Sequence, residues 1–349
     1  MNLEKIAHNL IRKSIVIGQK PNPNIKLARK KFGKFVDKIL NMGQFTAKEL
    51  KQNEKNIVEK LKDPVYGPLV IEKNGKYQVK TKIGESVRLL YSDVDPECVK
   101  LANLIKEECW KNGAHVLFFA YSSADSRKHL QLIPEGTSAE LPLASKFLAE
   151  ACDARIFLGG DEDLNWIRGL EEKQKLGALA SQKLRDIIDK KKVKWCYFGW
   201  PNKNDYKKIY LRSIQETFSP KLKQLCNYYE RALESKNIIQ ITADDRTDLT
   251  FSIKNRPLLV ADGIIDQKDI ERGDVGLNIP DGEVFIAPLE HSANGYIIFD
   301  YVCIHGFGLI KDLEAKFKNG KVVWFNAKGN GKKLFKKFLD SNTGEKDRI

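Results

Sequence analysis

Short apolar runs alternate with amphipathic helical stretches through the middle of this 349-residue chain. The runs have the length and the aliphatic and aromatic content of strands, whereas the stretches between them repeat with helical spacing. Strands that are joined by helices pair in parallel, because the helix carries the chain back to the starting edge of the sheet. The pattern predicts an α/β domain with a doubly wound, mostly parallel sheet over residues 63–236. The strand runs are residues 87–91, 115–121, 155–159 and 195–199, and the helical stretches are 96–112, 141–152, 164–192 and 218–236.

The character of the sequence changes after residue 237, where short strand-like runs follow one another with turns between them. Asn319-Gly320 separates two such runs, and this dipeptide supplies the positive φ angles of a type I′ hairpin turn. An amphipathic helix follows, with Leu334, Phe335, Phe338 and Leu339 on its apolar face and lysines on the other face. Residues 237–349 are therefore predicted to form an α+β domain with a mostly antiparallel sheet.

The positive charge of the chain is concentrated at its N-terminus. Residues 1–62 hold 15 Lys and Arg against 5 Asp and Glu, and their periodicity predicts a basic helical N-terminal extension. Such a segment could attract nucleic acid through phosphate charge. Aromatic residues are sparse there and no base-reading motif is present, so the sequence favours a solvated lysine-rich surface and disfavours a nucleic-acid partner.

Composition points to a globular protein in the cytoplasm. The chain has 42% apolar and 30% charged residues, and no segment approaches the ~20 apolar residues of a membrane span. The N-terminus lacks the features of a signal peptide, so neither a membrane nor a secretory route is expected. The six cysteines show no metal-binding spacing and are predicted to be buried free thiols.

One carboxylate, Glu283, opens a short apolar strand directly after a Pro-Asp-Gly turn. A glutamate at the mouth of a strand can be held rigidly and aimed at a cleft, as a metal ligand must be. We interpret Asp281 in the turn and Glu290 beyond the strand as solvated carboxylates. His291 and His305 follow the strand, and a surface or structural role is favoured for both.

Other catalytic signatures are absent from the sequence. It contains no Gly-x-Ser-x-Gly nucleophile motif and no His-Glu-x-x-His pair. Ser92-Asp93-Val94-Asp95 stands where a dinucleotide-binding protein would have its glycine-rich loop. Metal chemistry is the option that the residues leave open.

The segment around Glu283 resembles the aminopeptidase T / aminopeptidase S family of metallo-exopeptidases. The resemblance rests on the string Pro-x-Gly-Glu-Val-Phe-x-Ala-Pro at residues 280–288 together with weaker strings in the family's order, and it spans roughly residues 80–349. The weaker strings are residues 82–87, 112–116, 200–201, 247–250, 295–300 and 319–321.

The resemblance implies a metal-dependent aminopeptidase that releases N-terminal amino acids from peptides and acts as a homodimer. It implies two divalent metal ions, zinc, cobalt or magnesium, with Glu283 as one metal ligand. In the family the other ligands follow a segment like residues 339–349, so the chain as given is expected to be incomplete or inactive. Glu345 precedes the position of the second glutamate ligand and is not equivalent to it.

Two other readings stay open at this point. The chain could be a non-catalytic binding protein that retains the fold, or an unrelated α/β enzyme that acts on a small molecule near Asp93 and Asp125.

Overall fold

The computed structural model describes residues 2–23, 25–26, 30, 45–46, 48, 70–74, 76–79, 82–134, 136–160, 163, 166–201, 204–243, 246–304 and 307–341. Most of the helical extension predicted at residues 1–62 lies outside these residues. Within the described part, no helix is both long enough and apolar enough to cross a membrane.

The described elements follow the alternation that the sequence predicts. The strands are β1 (Gln19–Pro21), β2 (Phe45–Thr46), β3 (Val70–Lys73), β4 (Lys76–Val79), β5 (Lys82–Gly84), β6 (Ser86–Ser92), β7 (His115–Tyr121), β8 (Ala154–Gly159), β9 (Lys194–Gly199), β10 (Ile238–Ala243), β11 (Thr247–Ser252), β12 (Leu259–Ala261), β13 (Gly276–Ile279), β14 (Glu283–Phe285), β15 (Asn294–Ile304), β16 (Gly308–Lys318) and β17 (Lys321–Asn326). The helices are α1 (Leu3–Asn9), α2 (Pro96–Lys111), α3 (Ser123–Leu132), α4 (Leu143–Ala151), α5 (Glu171–Lys191), α6 (Asn204–Thr217), α7 (Pro220–Leu233), α8 (Gln267–Arg272) and α9 (Gly331–Ser341).

Five strands form a fully parallel sheet in the order β13-β9-β8-β6-β7. This arrangement confirms the predicted α/β fold class. Its edge strand β13 comes from residues beyond the predicted boundary at residue 237, so the chain returns to the first sheet after starting the second. The division at residues 62 and 236 stays a prediction, but the two sheets are not separated cleanly there.

The main core fills one face of the parallel sheet. Alternate residues of the central strands point to this face, including the fully buried Leu89 and Phe198. Leu10, Ile11 and Ile15 from the start of the chain are fully buried in the same cluster. The first helical residues are therefore part of the core of the parallel sheet and not a detached appendage.

The second sheet is antiparallel, with the strand order β10-β11-β15-β16-β17. Asn319 and Gly320 have φ angles of 51° and 78° in the turn between β16 and β17, which confirms the predicted hairpin. Helix α9 packs on this sheet through its aromatic residues, and the ring centroids of Phe335 and Phe325 are 5.0 Å apart. This sheet confirms the predicted antiparallel α+β part of the fold.

Two short strands, β12 and β14, form a separate ribbon, and β13 of the parallel sheet lies between them in the sequence. The strands pair antiparallel, and Ala261 stands opposite Glu283. Strand β14 follows the edge strand β13 directly, so Glu283 lies beside the parallel sheet.

Candidate metal and substrate site

Glu283 is the first residue of β14, where the ribbon begins. Gly282 just before it has a φ of 138°, a conformation that side chains rarely adopt, and a Cβ there would lie 2.8 Å from Leu222 Cδ1. Glycine is therefore needed for the chain to turn from β13 into β14. The Glu283 side chain is exposed, and within the described residues it has no hydrogen bond or ion pair.

Asp281 is not the solvated turn carboxylate that the sequence predicted, because it is partly buried. Its backbone N–H donates to Thr217 Oγ1 at 2.9 Å, and its Oδ1 accepts from the N–H of Gly282 at 3.0 Å. Its other oxygen, Oδ2, is buried and has no hydrogen-bond partner among the described residues. Burial raises the pKa of Asp281 to about 6, and the nearby charges of Glu283 and Asp262 act in the same direction, although two backbone N–H groups oppose them. The burial of Asp281 results from tertiary packing, because the end of α6 covers the turn.

Glu283 lines a small acidic cavity between β13 and the ribbon. The cavity has a volume of about 150 Å³. Asp269 is already paired there, since its Oδ1 lies 2.6 Å from Arg272 Nη2. The cavity has apolar walls and four carboxylate residues, and it therefore suits a cation or an ammonium group with an apolar neighbour. The lining includes Trp195, Val260, Ile264, Ile265, Leu277 and Phe285 as walls, with Asp269, Asp274, Asp281 and Glu283 as the acidic residues.

A further carboxylate, Asp262, lies beside this site but outside the lining of the cavity. Its Oδ2 is 3.5 Å from Lys223 Nζ on α7. Burial raises the pKa of Asp262, while the charge of Lys223 opposes the shift. Asp262 thus adds negative potential to the site although a lysine partly neutralises it.

The two histidines and Glu290 do not join Glu283 at the cavity. Glu290 is exposed and pairs with Arg256, as a solvated carboxylate should. His291 lies in the following turn, packed near Gly320 of the hairpin, and does not line the cavity. His305 lies outside the described residues.

The described residues fit a divalent cation only in part. Glu283 offers a free carboxylate, and Asp281 offers a buried oxygen without a partner. Across the described ranges, however, no group of three or more His, Cys, Asp or Glu side chains could hold a metal ion. A tightly bound ion needs more fixed ligands than this arrangement supplies.

Sequence reasoning did not identify Trp195 and Asp274 as neighbours of Glu283. Trp195 stands opposite Gly276 in the sheet, and its ring occupies the space that a Cβ of Gly276 would fill. The glycine within β13 is a weak sequence signal for this close approach.

The parallel and antiparallel sheets and the acidic cavity beside Glu283 define an α/β protein, and known proteins share these features in part. Residues 220–347 match the sequence model of the thermophilic metalloprotease (M29) family. The fold is similar to wild-type AmpT from Thermus thermophilus, with a TM-score of 0.61 and 17% identity over 99% of this chain and 76% of that chain. These matches confirm the predicted resemblance to the M29 aminopeptidase family.

A second solved structure is more distant. It is 2,5-dihydroxypyridine dioxygenase from Pseudomonas putida KT2440, with a TM-score of 0.45 and 14% identity over 73% of this chain and 66% of that chain. Among curated proteins, no sequence matches this chain.

Proposed function

We propose that this chain is a metal-dependent aminopeptidase in which Glu283 supplies one metal ligand. The observation that supports it best is the Glu283 carboxylate at the start of β14. It has no partner among the described residues and lines an acidic cavity within the segment that matches the metalloprotease family. Backbone pairing with β12 fixes the position of the Glu283 backbone, and its carboxylate has no salt bridge among the described residues, so it is available to a cation.

The cavity also suits the substrate of an aminopeptidase. The N-terminal ammonium of a peptide is a cation, and the negative potential of Glu283 and Asp281 favours it. The rings of Trp195 and Phe285 line the same cavity and offer apolar contact to the first side chain of the peptide. The substrate class is therefore a peptide with a free amino terminus.

The divalent ion would be zinc, cobalt or magnesium, with two ions per site. Such ions polarise a carbonyl group and lower the pKa of a bound water. Because the described residues supply only part of a ligand set, the remaining ligands would come from residues outside the described ranges. For the same reason we propose that the 349-residue chain has little activity when it is purified alone. A homodimer in the cytoplasm is part of the same proposal.

A peptidase assay tests the proposal. The purified chain is incubated with leucine p-nitroanilide and with zinc, cobalt or magnesium, and we expect very slow release. A version extended at its C-terminus by the ligand-bearing segment of a family enzyme should show metal-dependent release, which Glu283→Gln abolishes and Glu290→Gln spares. An extended version that stays inactive with every metal would overturn the function. Fast release by the unextended chain would overturn only the expected low activity.

One alternative has a specific observation in its favour. Because the described residues contain no cluster of three potential ligands, the chain could be a binding protein that retains the fold without catalysis. It would then bind peptides with a free amino terminus without cleaving them. Calorimetry with a leucyl peptide, with and without metal, separates the two functions. Asp93 and Asp125 are exposed and line none of the described cavities, so the small-molecule enzyme has less support.

A further inference from the structure

Two arginines stand side by side on the face of the parallel sheet that points away from the main core. Arg88 on β6 is the register partner of Arg155 on β8. Val87 and Leu89, their neighbours along the strand, point into the core, so Arg88 and Arg155 share the opposite face. Adjacent strands lie about 4.8 Å apart, which brings the two guanidinium groups close together.

Neither arginine has an acidic partner among the described residues. Arg88 Nε is buried and lacks an acceptor, and its guanidinium lies 5.9 Å from the centroid of the Phe119 ring. Burial and the charge of Arg88 both lower the pKa of Arg155. Asp153, close in the sequence, already pairs with Lys20 and accepts the Ser86 N–H at 2.9 Å. Two unpaired like charges at a partly buried position destabilise a protein unless an anion neutralises them.

The pair opens onto a cavity with aromatic walls. This cavity has a volume of about 210 Å³ and is separate from the acidic cavity, although Trp195 lines both. The rings of Phe157 and Tyr197 stack side by side along it, with centroids 4.9 Å apart and planes inclined by 12°. Tyr197 and Trp195 are unusually exposed for sheet residues, at 45% and 37%. One end of the cavity therefore carries two positive charges, and aromatic rings form its walls.

We propose that Arg88 and Arg155 form a binding site for a small aromatic oxyanion, a ring that carries a carboxylate or a phosphate. The planar fork of an arginine matches the two oxygens of such a group, and a charge-assisted pair of this kind is stronger than a hydrogen bond between neutral groups. The aromatic walls bind the ring, and the anion supplies the negative charge that the described residues lack. This site does not require the metal chemistry proposed for Glu283.

Isothermal titration calorimetry on the full chain, without added metal, tests the site. Benzoate and phenyl phosphate are the probes, benzamide is the uncharged match of benzoate, and acetate and inorganic phosphate are the anions without a ring. We expect one equivalent of benzoate or phenyl phosphate to bind. The affinity for benzamide, acetate and inorganic phosphate should be at least tenfold lower, because both the arginine–oxyanion pair and the aromatic ring contribute to binding. The tighter of the two probes identifies carboxylate or phosphate as the natural group.

Variants connect the binding to the arginine pair. Arg155→Met should abolish the binding and leave the melting temperature of the free protein equal or higher, because one of two like charges is removed. Arg155→Lys keeps the charge but loses the fork, and it should weaken binding about tenfold. Arg246→Met is the matched control, since Arg246 is exposed and pairs with Glu314 on the other sheet. Failure of both probes to bind, binding of benzamide equal to benzoate, or undiminished binding in folded Arg155→Lys and Arg155→Met would overturn the proposal.

Discussion

Glu283 stands directly opposite Ala261 in the antiparallel ribbon of β12 and β14. Asp262 follows Ala261 in the sequence and Asp281 precedes Glu283 by two residues, so backbone pairing gathers three carboxylates at one place. Their mutual repulsion contributes to the raised pKa of Asp281. The ribbon is thus the element that concentrates negative charge beside the parallel sheet.

The turn before Glu283 should tolerate only glycine. Gly282→Ala places a Cβ 2.8 Å from Leu222 Cδ1 at a φ of 138°, so we expect a loss of about 2 to 3 kcal/mol in the free energy of unfolding. Gly273→Ala is the control, because Gly273 also has positive φ but open space around it, and it should cost about 1 kcal/mol. Urea denaturation measures both. Equal losses would show that Leu222 does not restrict the turn.

The buried Glu108 should make stability depend on pH. Arg12 Nε donates to Glu108 Oε1 at 2.9 Å. Burial alone would raise the pKa of Glu108, but Arg12, with His8 and Lys111, holds this pKa below its ordinary value. A carboxylate with a lowered pKa stabilises the fold above its unfolded pKa, and this contribution is lost as the pH falls through its folded pKa.

Glu108→Gln should therefore lower the free energy of unfolding at pH 7 by about 1 to 2 kcal/mol, and the difference from the unmodified chain should shrink below about pH 4. Glu107→Gln is the control, because Glu107 is next to Glu108 in the sequence but is exposed. Chemical denaturation at several pH values measures the effect. A difference that grows toward low pH would contradict the assigned role of Arg12.

The N-terminal residues should be essential for folding. Leu10 is fully buried against the parallel sheet, so Leu10→Ala should cost about 2 to 5 kcal/mol. Leu132→Ala removes a leucine that is 73% exposed and should change the stability by less than about 0.5 kcal/mol. Thermal unfolding of both variants tests this. A Leu10→Ala variant as stable as the unmodified chain would mean that the first helix is a separate appendage after all.

Elements with a strong local signal were predictable from the sequence. The strand and helix alternation at residues 87–199 and the Asn319-Gly320 turn are examples, because periodicity and turn chemistry act over a few residues. Helix α3 was not predicted, since it buries only Ser123 and Leu130 and shows little apolar periodicity. Helix α6 was also missed, although Tyr210 and Ile214 have the four-residue spacing of a buried helix face.

The site was only partly predictable for a related reason. Glu283 was found through its local string, whereas the burial of Asp281 depends on Thr217, which is distant in the sequence. The four-residue strand β13 contains Gly276 and Asn278, so its place in the parallel sheet is set by tertiary contacts and not by propensity. The Arg88 and Arg155 pair depends on strand register, which a single sequence does not show.

The central claim is that Glu283 binds a divalent metal ion, and a Mn²⁺ titration followed by electron paramagnetic resonance tests it on the chain as it is. The partial ligand set predicts weak binding, with a dissociation constant of about 1 mM, as for sites with few carboxylates. Glu283→Gln keeps the shape of the side chain without its charge and should abolish this binding. Glu290→Gln removes an exposed carboxylate that pairs with Arg256 and should leave the binding unchanged. Unchanged Mn²⁺ binding in Glu283→Gln, or equal losses in the two variants, would contradict the account.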